Sequence, residues 1–152
     1  MENVFAVIPA RSGSKGVPNK NIRKLSGYSL LEWSIAACKK CNLINEIYVS
    51  TDSKEYQSLS QKLGAKAPFL RPKKISADSS TDYEFILHAL NWFKKKGNEP
   101  NFIAHIRPTT PFRDPKVMDQ AIKAFMTNNI NATALRSVHP MSESAYKSFE
   151  IK

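Results

Sequence analysis

The chain is poor in the residues that staple, switch or span. Among its 152 residues are two cysteines, three histidines and five glycines, and 13 acidic side chains stand against 23 Lys and Arg. Two cysteines exclude a disulfide framework, and a domain of ~150 residues buries roughly 68–70% of its unfolded surface without one. Cys38 and Cys41 do form a Cys-Lys-Lys-Cys spacing. A redox pair belongs at a helix N-terminus, where the dipole lowers the thiol pKa, whereas this pair falls near the end of an expected helix. A structural zinc site needs four ligands, and no second pair exists. No run approaches the ~18 apolar residues of a membrane span. Met1-Glu2-Asn3-Val4 lacks the basic and apolar regions of a signal peptide. The expectation is a soluble cytoplasmic chain, in which Asn131-Ala132-Thr133 has no meaning as a glycosylation acceptor.

The shortage of acid leaves a formal charge of +10. An excess of this size concentrates anions, whether nucleotides, acidic sugars or nucleic acid. The cations are dispersed, with Lys39-Lys40, Lys73-Lys74 and Lys94-Lys95-Lys96 as separate clusters, which reads as solvated helix ends and loops. Aromatic residues are not interleaved with them as a stacking platform requires, so nucleic acid is not the expected partner. Also missing are the Walker Gly-x4-Gly-Lys-Ser/Thr loop, the Gly-x-Gly-x-x-Gly turn and a Gly-x-Ser-x-Gly elbow, since Ser12-Gly13-Ser14-Lys15-Gly16 lacks the first glycine. No His/Cys/Asp cluster has ligand spacing, so no metal ligands are assigned.

What is present alternates. Val4-Phe5-Ala6-Val7-Ile8 is the apolar run of a strand buried on both faces. Ser29-Leu30-Leu31-Glu32 is a capping box that opens a helix through Cys38. Ile47-Tyr48-Val49 is a second strand, followed by a helix that opens near Ser53 and stops before Gly64, a C-cap. Ala67-Pro68-Phe69-Leu70 predicts a short strand, at an edge because of Pro68. Thr81-Asp82-Tyr83-Glu84 is another capping box, and its helix carries Phe85, Ile86, Ala89, Leu90 and Phe93 before Gly97. Phe102–Ile106 is a strand. Asp114-Pro115 reads as N-cap and first helical residue, with Val117, Met118, Ile122 and Phe125 on the buried face. Ala132–Val138 predicts a further strand. The pattern implies an α/β fold, a mostly parallel sheet with helices on both faces.

Loops rich in Arg, Lys, Ser, Thr and Asn follow the strands at 9–21, 50–52, 71–80 and 107–113. In open α/β sheets ligands bind beyond the carboxyl ends of the strands, so these loops are expected to meet in one crevice. The first reads Pro9-Ala10-Arg11-Ser12-Gly13-Ser14-Lys15-Gly16-Val17-Pro18-Asn19-Lys20-Asn21. Three cations among hydroxyl and amide groups, with glycines that open the backbone N–H groups, suit a polyphosphate. Asp52 reads equally as a ribose or base contact and as a helix cap. Asp78 and Asp82 read as helix-capping residues rather than a metal pair. His88 reads as structural, His105 lies in a strand and His139 in a loop.

From Ile8 to Asn21 the chain resembles the N-terminal signature of the N-acylneuraminate cytidylyltransferases, the CMP-sialic acid synthetases. Val49-Ser50-Thr51-Asp52, Arg71-Pro72 leading to Asp78-Ser79-Ser80-Thr81, and Arg107-Pro108-Thr109-Thr110-Pro111 follow in the family's order. The resemblance implies a nucleotide-diphosphosugar-transferase-like, Rossmann-like fold. It implies transfer of CMP from CTP to an acidic nine-carbon sugar, with pyrophosphate released. Arg11, Lys15 and Lys20 would hold the phosphates. Ala10, Ser14, Asn21, Arg71 and Ser80 would form the nucleotide pocket. Arg107, where many members carry Gln, would lie near base and sugar. The family uses Mg²⁺ on an Asp-x-Asp motif and a homodimer arm, and neither has a counterpart before Lys152. Residues 1–152 are therefore expected to be one domain, incomplete at its C-terminus. Other readings are a cytidylyltransferase for a pseudaminic, legionaminic or Kdo-type acid, and a non-catalytic nucleotide- or anion-binding module.

Overall fold

The computed structural model describes residues 2–128 and 130–138. Its centre is the apolar run near the N-terminus, strand β1 (Val4–Pro9). Hairpin strands β2 (Lys24–Leu25) and β3 (Tyr28–Ser29) follow, then α1 (Leu30–Lys39), β4 (Glu46–Ser50) and α2 (Lys54–Lys62). Next come α3 (Asp82–Lys95), β5 (Phe102–His105) and α4 (Pro115–Asn128). The main sheet has the order β4-β1-β5 with both pairings parallel, Ala6 facing Ile47 on one side and Ala104 on the other. All strands of this sheet therefore end on the same edge.

Alternation along β1 sorts the core into two halves, because successive side chains point to opposite faces. Ala6 and Ile8 pack with Leu31 and Ile35 of α1, Val49 of β4 and Tyr56 of α2. Phe5 and Val7 pack on the other face with Tyr48 and with Phe85, Ala89 and Phe93, one stripe of α3 at four-residue spacing. The rings of Tyr48 and Phe93 are 4.6 Å apart and those of Phe5 and Phe93 5.4 Å, edge to face. Helices thus cover both faces, as expected.

The helix ends follow their local signals. Ser29 N–H donates to Glu32 Oε2 at 2.6 Å and Glu32 N–H to Ser29 Oγ at 3.1 Å, closing the first capping box. Thr81 N–H donates to Glu84 at 2.6 Å. Gly64 (φ +78°) ends α2 in the left-handed region that a side chain disfavours. Between β2 and β3, Ser26 and Gly27 both take positive φ, the two-residue turn that matches strand twist.

Three expectations need correction. Residues 67–70 form no continuous strand. Parallel bridges Tyr48–Lys66 and Thr51–Leu70 flank the segment, and Pro68 between them has no N–H to give the ladder. Residues 132–138 are irregular, with Leu135 and Val138 exposed. Val117 is also exposed rather than buried. Of the expected face of α4 only Met118, Ile122 and Phe125 are half-covered.

Helix α4 is fastened by Asp119, whose carboxylate accepts from the N–H groups of Asn42 and Leu43, both at 3.0 Å, and from Asn42 Nδ2 at 3.1 Å. Its slight burial works against ionisation, but these donors outweigh it and hold the pKa below the ordinary carboxylate value. Because the folded pKa is depressed, the contribution is present above the unfolded carboxylate pKa and disappears as pH falls through the folded one. Asp119→Asn is expected to be less stable than the wild type at neutral pH, and the gap to close in acid, in urea titrations at both pH values.

Candidate active site

Beyond the carboxyl ends of β1, β4 and β5 three of the polar loops, 9–21, 50–52 and 71–80, are stitched together, and the fourth, 107–113, is tied to the start of α3. The loop after β1 is tied to the end of β4 by Asp52, which accepts from Ser12 N–H at 2.8 Å and from Ser12 Oγ–H at 3.1 Å. The cap of α2 is instead Ser53, whose Oγ accepts from Tyr56 N–H at 3.3 Å. Asp52 is thus not the helix cap, and its carboxylate tethers the cationic loop. Asn21 is buried, and its Nδ2 donates to the Arg11 carbonyl at 2.9 Å, holding the loop from inside. Tyr56 Oη–H donates to Asn19 Oδ1 at 3.3 Å and pins the loop's far end.

Arg71 is 6% exposed. Its Nε donates to Ser50 Oγ at 3.1 Å and its Nη2 to the Ser50 carbonyl at 2.6 Å, while the guanidinium lies 4.9 Å from the centre of the Phe85 ring. Burial lowers its pKa to about 10, which leaves it charged at neutral pH. Arg107 is half-exposed and pairs with Asp82 at the start of α3. Arg113, which the motifs do not single out, braces that loop by donating to the carbonyls of Thr110 and Arg107, the latter at 2.5 Å. Its one signal in the sequence is an arginine closing a Pro-Thr-Thr-Pro turn.

Of the expected site residues, Arg11, Lys15, Arg71 and Arg107 are tied into this crevice by their ion pairs and hydrogen bonds. Lys20 opens a short 3-10 turn (Lys20–Ile22) at the end of the same loop. The Ala10 methyl is buried in the core, its N–H bonded to the Ser50 carbonyl at 2.9 Å, so any ligand contact here is through backbone. Ser14 is half-exposed in the loop, and Ser80 Oγ accepts from Ala77 N–H at 3.0 Å within its own turn. Asp78 is not a cap: its carboxylate bridges Arg11 at 2.5 Å and Lys15 at 2.8 Å. A Cβ on Gly13 or Gly16 would meet no atom within 4 Å, so the chain's own packing requires neither glycine.

Two hollows, of about 360 and 560 Å³, lie beside β4 and α2 and include none of these side chains. Cys38 and Cys41 are buried free thiols, pushed by that burial up to about 12 and about 11. That is the reverse of what a redox pair needs. His88 packs edge-on to Phe69 at 4.8 Å and His105 against Phe85 at 5.2 Å; His139 lies outside the described residues. No described helix is long and apolar enough to cross a membrane. Among the described residues no three His, Cys, Asp or Glu side chains form a metal-holding group. The crevice carboxylates of Asp52, Asp78 and Asp82 are each engaged by a donor or cation. The described residues therefore do not fit a magnesium site by themselves.

Comparison with known proteins bears on the same loops. An N-acylneuraminate cytidylyltransferase of Escherichia coli O18:K1:H7 is 36% identical over 124 residues, 82% of this chain and 28% of that protein. A CMP-N,N'-diacetyllegionaminic acid synthase of Legionella pneumophila is 33% identical over 139 residues, 91% of this chain and 59% of that one. The solved structure of a CMP:2-keto-3-deoxy-manno-octonic acid synthetase complexed with CTP superposes with a TM-score of 0.71 at 17% identity. It covers 84% of this chain and 49% of that one, and speaks for the fold. The chain thus spans less than two thirds of each of these relatives. A family model described as cytidylyltransferase matches residues 5–150, taking in all four crevice loops, and the chain belongs to that family.

Proposed function

We propose that this chain forms the nucleotide-binding part of an enzyme that transfers CMP from CTP to a sialic-type nine-carbon sugar acid. The anomeric hydroxyl oxygen attacks the α-phosphorus, the bond from that phosphorus to the oxygen bridging to the β-phosphate breaks, and pyrophosphate departs. The hydroxyl proton passes to solvent. The observation that carries the reading is the loop after β1. Arg11 and Lys15 converge there on one pair of anionic oxygens, and the buried cation Arg71 is bonded to Ser50 at the end of the neighbouring strand. Phosphoryl transfer asks a protein chiefly for position and charge neutralisation, and this surface supplies fixed donors and cations. Lys20, at the loop's end, is the third cation of that loop, and Ser14, Asn21, Ser80 and Arg107 frame the nucleotide and sugar. A second reading, a legionaminic-type acceptor, is favoured by the Legionella relative that matches 91% of this chain.

The reading carries with it the cytoplasmic setting and homodimer implied by the resemblance. The magnesium it also implies finds no cradle among the described residues, and no step here is routed through it. Pyrophosphate release from CTP with Mg²⁺ and a panel of nine-carbon acids tests the reaction. Release with one acid supports it and names the acceptor. Absence of release with every acid, in a chain that binds CTP, leaves a non-catalytic binding module in its place.

The tether predicts an effect of its own. Asp52→Ala removes both acceptors that hold Ser12. CTP binding is expected to weaken by about 1–2 kcal/mol, roughly 5- to 30-fold in Kd by calorimetry. Unchanged affinity would mean that the loop holds its shape without Asp52.

A further inference from the structure

The cations assigned to phosphate already hold an anion, and it belongs to the chain itself. Asp78 Oδ1 lies 2.5 Å from Arg11 Nη2 and its Oδ2 lies 2.8 Å from Lys15 Nζ, so each oxygen answers one cation. Arg11 Nη1 also donates to the Ser76 carbonyl at 3.4 Å. All three contacts join the loop after β1 to one turn of the 71–80 loop. The hydrogen bonds from Lys15 and Arg11 hold the Asp78 carboxyl below its ordinary pKa, so it is an anion at neutral pH. To a guanidinium and an ammonium group, two carboxylate oxygens resemble two phosphate oxygens. Both cannot use the same donors at once, and the two anions repel each other.

We propose that Asp78 is an internal occupant of the phosphate subsite, a latch that closes the 76–80 turn over Arg11 and Lys15 and is exchanged for phosphate oxygens when the nucleotide binds. The inference rests on the phosphate reading of the loop after β1 given above. The latch is built to be displaced. Lys15 keeps 86% of its side chain exposed, Asp78 36% and Arg11 30%. Exposed pairs are individually weak and yield to a more highly charged competitor. The competition lowers phosphate affinity by about 3- to 30-fold and couples binding to release of the turn.

Binding of inorganic tripolyphosphate and of CTP, followed by calorimetry in wild type, Asp78→Asn and Asp78→Glu, tests this. Asp78→Asn is expected to bind tripolyphosphate about 3- to 30-fold more tightly than wild type, and Asp78→Glu, which keeps the charge, more weakly than Asp78→Asn. Amide hydrogen exchange over residues 76–80 is expected to speed up in wild type when tripolyphosphate is added, because the turn loses its anchors. Binding by Asp78→Asn that equals or falls below that of a binding-competent wild type overturns the latch and leaves the phosphate reading standing. Absence of tripolyphosphate and CTP binding in both chains overturns the two together. Binding that emerges only in Asp78→Asn supports both.

Discussion

Replacing Arg11 by alanine in an intact enzyme is expected to lower the proposed CMP-sugar formation by at least 10²–10³, the usual cost of one well-placed charge-stabilising donor, measured as pyrophosphate release at saturating CTP and acceptor. The expectation follows from placement. The Arg11 backbone is held by Asn21 through its carbonyl, so the guanidinium stands on a braced loop. Its side chain is partly exposed and, among the described residues, bonds to groups of the 71–80 loop, Asp78 and Ser76. Truncating it removes charge from the crevice while leaving the core untouched. Stability is therefore expected to change by less than ~1 kcal/mol, as for an exposed pair, although catalysis falls by orders of magnitude. Turnover near the wild-type level in Arg11→Ala would remove this residue from the site.

Arg71→Ala is expected to cost stability, which Arg11→Ala does not. This guanidinium is buried, and two of its three nitrogens are committed to Ser50. Its loss leaves the Ser50 carbonyl with the Ala10 N–H alone and opens a gap against Phe85. Breaking a buried, hydrogen-bonded charge costs about 2–4 kcal/mol, roughly 5–15 °C in melting temperature for a domain of this size. Arg71→Lys does not rescue it, because one ammonium cannot reproduce the fork that reaches both the Ser50 carbonyl and its hydroxyl. Urea denaturation of both variants checks the expectation. A midpoint equal to wild type in Arg71→Ala would mean that the buried arginine contributes nothing to holding β4 to the 71–80 loop.

The contrast between these arginines marks the limit of what a linear chain reveals. Their motifs assign both to the nucleotide, and nothing in the order of residues separates a cation facing a crevice from one buried beneath it. Local signals, by contrast, carry the architecture. A β1 apolar at every position, capping boxes at Ser29 and Thr81, and Gly64 and Gly97 at helix ends state their own conformations. The hairpin at 24–29 escapes notice because two-residue strands are too short for a periodic pattern, leaving only a Ser-Gly pair to mark the turn. The segment 132–138 misleads in the other direction. Its apolar residues suit a strand, but a strand exists only through pairing, and the described chain does not pair it. Asp78 and Asp52 mislead for a related reason. A carboxylate near a helix start looks like a cap, and its long-range partners Arg11, Lys15 and Ser12 are invisible at that distance in sequence.

A crystal structure of the chain with CTP would show whether the triphosphate sits in the loop after β1. That placement requires phosphate oxygens within hydrogen-bonding distance of the Arg11 guanidinium and the Lys15 ammonium, with Asp78 withdrawn from both. A nucleotide bound elsewhere, with Arg11 still paired to Asp78, would contradict it.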